Sequence, residues 1–334
     1  MRYALLFAIS AVASFGLTPP IAAFARGVRA VDEPGDRKIH RVPVPRLGGL
    51  AVALGGAVAI AVAIALDLLH GVSGPAVLLH AWGPLLAGGF VILTLGAVDD
   101  LRPLSPLAKL IVEIGAAVVV WAMGARVETV TLLGRTYELG LLGVPLTICW
   151  IVLLTNAFNL VDGLDGLATG LAIIAASTCA IILIARSDVQ SGTALVVLVG
   201  ALCGFLPYNV GPARVFLGDS GSLLVGYALA VTAITGFQKA ATSLAVTVPL
   251  LIFALPLAET ASSTTRRLLQ QPGGAGGGSL GDVGRRLRRV VQADSAHFHH
   301  RLMQLGLSPR ATVLVLYSVA VFLSLLALAS ARIP

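Results

Sequence analysis

The chain has 334 residues, 57% of them hydrophobic and only 12% charged, where a water-soluble domain carries about 25% charged residues. With a mean hydropathy of +0.93, this excludes a soluble globular protein and indicates an all-α, polytopic integral membrane protein. The formal net charge of +7 would suit a nucleic-acid binder in a soluble chain. In a membrane protein the basic residues belong first to topology, so no nucleic-acid partner is expected.

Taken in chain order, apolar runs predict ten membrane spans near 3–24, 48–68, 81–98, 107–124, 141–158, 167–185, 193–209, 219–236, 243–261 and 311–331. Glycine and polar residues interrupt the fifth and eighth, and an eleventh span stays open. The first run resembles a secretory signal, but cleavage after it would leave the basic segment 26–46 outside, so it reads as a retained span. With ten spans and both termini outside, the inside loops hold every lysine and arginine except Arg2, Arg126, Arg135, Arg186, Lys239 and Arg332. The expected location is therefore a cytoplasmic membrane, as a single membrane-embedded domain (1–334) whose long cytoplasmic loop spans 262–310. That loop carries a flexible glycine-rich insert at 272–278 and the run Arg285-Arg286-Leu287-Arg288-Arg289, which suits either anionic lipid or topology alone. Cys149, Cys179 and Cys203 fall in or beside apolar runs and suggest neither a disulfide framework nor a zinc site.

The same orientation puts a set of polar side chains on the cytoplasmic side, at the ends of apolar runs, where idle charge is costly. The segment from Asp32 through Lys38 to Gly49 is a turn-rich loop. Asp99-Asp100 close the third run. They could cap the next helix or mark a wet turn, or they could meet a metal and a second ligand. Lys109, early in the fourth run, suits phosphate charge or snorkelling to the interface. In Asn156-Ala157-Phe158-Asn159-Leu160-Val161-Asp162-Gly163-Leu164-Asp165-Gly166, a continuous helix would bring Asn159, Asp162 and Asp165 to one face. Asp219, between Gly218 and Ser220-Gly221, opens the eighth run as a candidate magnesium ligand or a plain N-cap. Asp294 precedes His297, His299, His300 and Arg301, which can donate to phosphoryl oxygens; zinc is disfavoured for lack of further ligands. No Walker or Rossmann signature is present.

These motifs, spread over residues 30–310, resemble the bacterial polyprenyl-phosphate N-acetylhexosamine-1-phosphate transferases, and more distantly the phospho-muramoyl-pentapeptide transferases. The resemblance implies ten or eleven helices around a cytoplasmic-face active site. It also implies transfer of N-acetylglucosamine 1-phosphate from UDP-N-acetylglucosamine to undecaprenyl or another polyprenyl phosphate, with release of UMP. By match, Asp219 and Asp100 would hold Mg²⁺ (or Mn²⁺), and Asp99 would orient or deprotonate the lipid phosphate. Asn156, Asn159, Asp162 and Asp165 would serve the nucleotide and diphosphate, and Lys109 and Lys38 would offset phosphate charge. His297, His299, His300 and Arg301 would contact the nucleotide-sugar. A homodimer is expected by analogy only.

Phe298, Glu259 and the glycine-rich insert depart from the family pattern and leave the sugar open: N-acetylgalactosamine, N-acetylfucosamine and N-acetylquinovosamine stand as alternatives. A transporter would need charges near the midplane and internal repeats, and no repeat is evident. A scaffold would not need so many Asn and Asp at one surface.

Overall fold

The computed structural model describes residues 1–34, 42–71, 74–132, 135–237, 244–269 and 298–331. The helices in chain order are α1 (Arg2–Gly27), α2 (Gly48–Leu69), α3 (Pro75–Leu101), α4 (Pro106–Ala122), α5 (Gly143–Val161) and α6 (Leu167–Ala185). They are followed by α7 (Val189–Asn209), α8 (Gly218–Phe237), α9 (Leu244–Ile252), α10 (Ala254–Leu269), α11 (Phe298–Gln304) and α12 (Pro309–Ser330). Among the described residues eight helices are long and apolar enough to cross a membrane: α1, α2, α3, α5, α6, α7, α8 and α12. The chain is therefore a helical, multi-pass membrane protein.

Two of the ten expected spans differ. The fourth, α4, has 17 residues and is about 25 Å long, short of a hydrocarbon core of about 30 Å. The ninth is not one helix. It breaks at Phe253 into α9 and α10, with Pro249 inside the first piece and Pro256 in the opening turn of the second. Proline has no N–H to give to the carbonyl four residues back, so the ladder is interrupted at this point. The 262–310 loop begins as helix, since α10 runs on to Leu269. The glycine-rich insert and the arginine run lie outside the described residues. Two small antiparallel pairs qualify the all-α expectation: β1 (Val31–Asp32) with β2 (Val44–Pro45), and β3 (Thr129–Leu132) with β4 (Arg135–Glu138).

The eighth run looked weak because α8 faces protein on nearly every side rather than lipid. It packs against α2, α3, α5, α6 and α7, and Tyr227 on it donates to the Pro84 carbonyl of α3 at 2.6 Å. A helix enclosed in this way can carry glycine, serine and threonine, which allow close backbone approach. Gly49 of α2 and Gly221 of α8 meet backbone to backbone, leaving no room for a Cβ on either. On the other flank α1 packs on α2 and α7 through buried Ser10, Ser14 and Thr18, so the first run is an integral part of the bundle. The C-terminal ends of α3 and α5 and the N-terminal ends of α4, α6, α8 and α12 all gather at one end of this bundle.

Candidate active site

The site is organised by α8. Asp100, at the end of α3, is 8% exposed, and its two oxygens accept from the Asp219 amide (2.8 Å) and the Ser220 amide (3.0 Å). A carboxylate at a helix N-terminus satisfies orphan donors and complements the dipole, here across two helices. The cap requires Gly218, whose φ of +74° disfavours a side chain and where a Cβ would run into the Asp100 carboxylate and the Arg46 carbonyl. Gly218 thus serves the close join of α3 and α8. Asp99 holds the following turn, accepting from the Leu104 amide at 2.7 Å. Both helix-end readings of this pair, cap and turn, are realised, one by each residue.

Lys109 joins the two motifs. Its Nζ lies 3.1 Å from Asp99 Oδ2 and 2.8 Å from Asp219 Oδ2. Asp219 receives a further hydrogen bond on Oδ1, at 3.1 Å, from Asn159 Nδ2, which also donates to Ser222 Oγ at 3.0 Å. The Asp219 side chain stays 28% exposed, so it can still meet a ligand.

The expected common face of Asn159, Asp162 and Asp165 is only partly realised. α5 stops at Val161, Asp162 occupies the C-cap, and Gly166 takes φ +77° before α6 begins. The two Asp-Gly pairs end the helix, so Asp165 lies in the turn and leaves the helical face. Its Oδ2 instead accepts from the Ala213 amide at 2.8 Å, tying the α5–α6 turn to the segment that leads into α8. Asp162 lies just beyond the span and is partly enclosed. Burial first, then the charges of Asp219 and Asp100, push its carboxyl up to about 8.

The histidine motif comes in on α11. His299 is 2% exposed and sits against Gly163, where a Cβ would touch its ring; the His300 ring lies 4.4 Å from it, centroid to centroid. Arg301 is exposed and does not line the cleft. Glu259 of α10 anchors the helix by accepting from the Phe298 amide on both oxygens (3.1 and 2.9 Å). Lys38, Asp294 and His297 lie outside the described residues.

These elements surround a cleft of about 420 Å³, whose wall includes Asp100, Asp162, Asp165, Asp219, Arg46 and His300. Arg46 pairs with Asp32 at 2.8 Å. Asp99, Lys109 and Asn159 form a layer beside Asp219, and Asn156, one turn before Asn159, bonds Glu113 of α4; none of the four lines the cleft. Among the described residues no three His, Cys, Asp or Glu side chains form a protein-only metal cage. Magnesium does not need one, since it binds through one or two carboxylates together with substrate phosphates and water. Five aspartates, Asp32 among them, line the cleft, and the mutual repulsion that, after burial, raises the Asp162 carboxyl is what such a cation would relieve. Asp219 and Asp162 are the residues best placed to hold it.

The sequence reading overlooked three contributors. Arg46 lies in the turn-rich loop from Asp32 to Gly49, where its sequence neighbours point to no role. Glu259 was noted only as a departure. Glu113, buried in α4 and hydrogen-bonded to Asn156, was a lone acid inside an apolar run, and the rule that exposed the other carboxylates would have found it.

Residues 82–237, which hold the Asp99-Asp100, Asn156–Asp165 and Asp219 motifs, match the model of glycosyl transferase family 4. A Bacillus subtilis protein described as a probable undecaprenyl-phosphate N-acetylglucosaminyl 1-phosphate transferase is 34% identical over 331 residues, covering 98% of this chain and 85% of the relative. A Mycobacterium tuberculosis decaprenyl-phosphate N-acetylglucosaminephosphotransferase is 32% identical over 94% of this chain and 79% of its own length. A Moorella thermoacetica phospho-N-acetylmuramoyl-pentapeptide-transferase is 32% identical over 68% of this chain and 73% of its own length. With its motifs gathered at one end of a helical bundle and this similarity running over nearly its whole length, the chain belongs to glycosyl transferase family 4, among the polyprenyl-phosphate N-acetylglucosamine-1-phosphate transferases.

Proposed function

We propose that the protein transfers N-acetylglucosamine 1-phosphate from UDP-N-acetylglucosamine to undecaprenyl phosphate at the cytoplasmic face of a bacterial cytoplasmic membrane. The observation that carries this reading is the convergence of Lys109, Asp99, Asp219 and Asn159 beside a cleft walled by aspartates, at a bundle end whose loops are basic. An oxygen of the lipid phosphate attacks the sugar-bearing phosphorus of the donor. The bond from that phosphorus to the bridging oxygen breaks, and UMP leaves with that oxygen. The lipid phosphate is already largely ionised near neutral pH, so Asp99 orients the acceptor more than it takes a proton. Lys109, now shared between two carboxylates, is placed to move part of its charge to a phosphoryl oxygen. A divalent cation, Mg²⁺ or Mn²⁺, held by Asp219 and Asp162 with Asp100 behind them, would neutralise the diphosphate. His299 positions the α5–α6 turn, and His300 reaches the donor.

The activities of the relatives favour N-acetylglucosamine over N-acetylgalactosamine, N-acetylfucosamine or N-acetylquinovosamine. The test is UMP release by purified protein in detergent with magnesium, undecaprenyl phosphate and a panel of UDP-sugars. Release with UDP-N-acetylglucosamine supports the proposal. Release with a different UDP-sugar only reassigns the donor, and no release by folded protein with any donor overturns the reading.

A further inference from the structure

Glu113 lies on α4, one helical turn beyond Lys109, and is 1% exposed. Its Oε2 accepts from the side-chain amide nitrogen of Asn156 on α5. The same nitrogen donates to the Val152 carbonyl at 2.9 Å. Two acceptors use both amide hydrogens and so fix which end of the amide faces α4. The Asn156 carbonyl oxygen must then point away from both. Among the described residues no hydrogen bond reaches it, and Asn156 keeps partial exposure. One turn along, Asn159 has already committed its amide nitrogen to Asp219 and Ser222.

A pair serving stability alone would be better satisfied than this one. The second Glu113 oxygen, Oε1, is buried without a partner. A half-satisfied carboxylate inside a membrane bundle is costly, and an apolar pair of similar shape would hold α4 and α5 together at least as well.

We infer that Glu113 is a positioning residue of the transfer site, holding the Asn156 side chain, set back from the cleft wall, so that a nucleotide-sugar extending past that wall toward α4 and α5 meets an acceptor for its N–H and O–H groups. The inference rests on the transferase reading. It also says which substrate feels the residue. The lipid phosphate head offers acceptors at neutral pH, whereas the base, ribose and acetamido sugar of the donor carry N–H and O–H groups. Loss of Glu113 frees the amide to flip and put a donor against donors.

The experiment measures KM for the UDP-sugar and for undecaprenyl phosphate separately, with the melting temperature in detergent. Glu113→Leu raises the UDP-sugar KM about tenfold, the size of one misplaced buried hydrogen bond, and leaves the lipid KM unchanged. Glu113→Gln, whose amide oxygen still accepts from Asn156, recovers most of the loss. Asn156→Leu and Asn156→Leu/Glu113→Leu share one UDP-sugar KM, because Glu113 acts only through Asn156. The double variant places leucine against leucine, so it folds even where Glu113→Leu alone does not, and its KM set against that of folded Asn156→Leu decides the matter. A further rise in the double variant, a rise in the lipid KM instead, or a Gln variant as impaired as the Leu variant would overturn the inference. Absence of UMP release by the unsubstituted protein would instead remove the transferase reading beneath it.

Discussion

The two ends of the bundle hold cavities of similar size but opposite construction. The cleft beside Asp219 measures about 420 Å³, and one at the far end, lined in part by Trp82, Met123, Arg126, Gln190, Ser191 and Thr235, about 470 Å³. At the far end the polar groups that find partners find them mostly within their own helix or turn, and Trp82 Nε1 is buried with none among the described residues. Thr232 donates to the Ala228 carbonyl at 2.7 Å, Thr235 to Val231 at 3.1 Å, Ser191 bonds the α7 cap Asp188, and Arg126 pairs with Glu128 two residues on. At the aspartate end the bonds cross the fold: Lys109 to Asp219, Asn159 to Asp219, the Asp219 amide to Asp100. Volume does not distinguish the two ends. Local bonds make a polar wall cheap wherever a helix passes, whereas charges drawn from α3, α4 and α8 onto one another carry a desolvation cost that packing alone does not require.

The largest effect expected from breaking this comparison is at Asp219. Asp219→Asn keeps the contacts of α8 but removes the charge, so UMP release falls about 10³-fold, the range for losing a principal electrostatic stabiliser, with the melting temperature nearly unchanged. Wild-type turnover in that variant would remove Asp219 from the site. Next is Lys109→Met, which leaves Asp99 and Asp219 facing each other without a shared cation. Breaking a buried ionic cluster costs about 3 kcal/mol, and turnover falls about 10²-fold. Millimolar Mg²⁺ then raises the melting temperature of Lys109→Met more than that of the unsubstituted protein, because a divalent cation takes over the missing charge. Equal shifts in both proteins would separate the cation from this cluster.

What the sequence made legible follows the same physics. Asp99, Asp100, Lys109, Asn159 and Asp219 were readable because charge at the end of an apolar run has no use to lipid, and the fold brings all five together. Asp165 leaves the shared face because the spacing of three holds only in a continuous helix, and α5 ends at Val161, ahead of the first Asp-Gly pair. The broken ninth span was visible in Pro249 and Pro256, but its hydropathy hid it. Asp100 capping α8 across 119 residues could not be read at all, since nothing local says which helix start will lie beside which helix end. Glu259 anchoring the histidine helix is hidden for the same reason.

That long-range cap supplies a smaller, sharper test. Gly218→Ala introduces a side chain at φ +74° and against the Asp100 carboxylate, a strain of about 1–3 kcal/mol. Because the strain falls on the join that sets Asp219, activity drops further than stability alone explains. Turnover per folded molecule is the quantity to compare, and an unchanged value would mean that the cap supports the fold without setting the site.

The smallest effect belongs to the far end and carries the comparison's converse. Arg126 is half exposed and pairs with Glu128, itself more than half exposed, so the pair is worth well under about 1 kcal/mol. Arg126→Ala should leave UMP release and both KM values within about twofold of the unsubstituted protein, as surface changes away from a site do. A tenfold change in either KM would show that the larger cavity is coupled to transfer, and that local satisfaction of a polar wall does not mark it as passive.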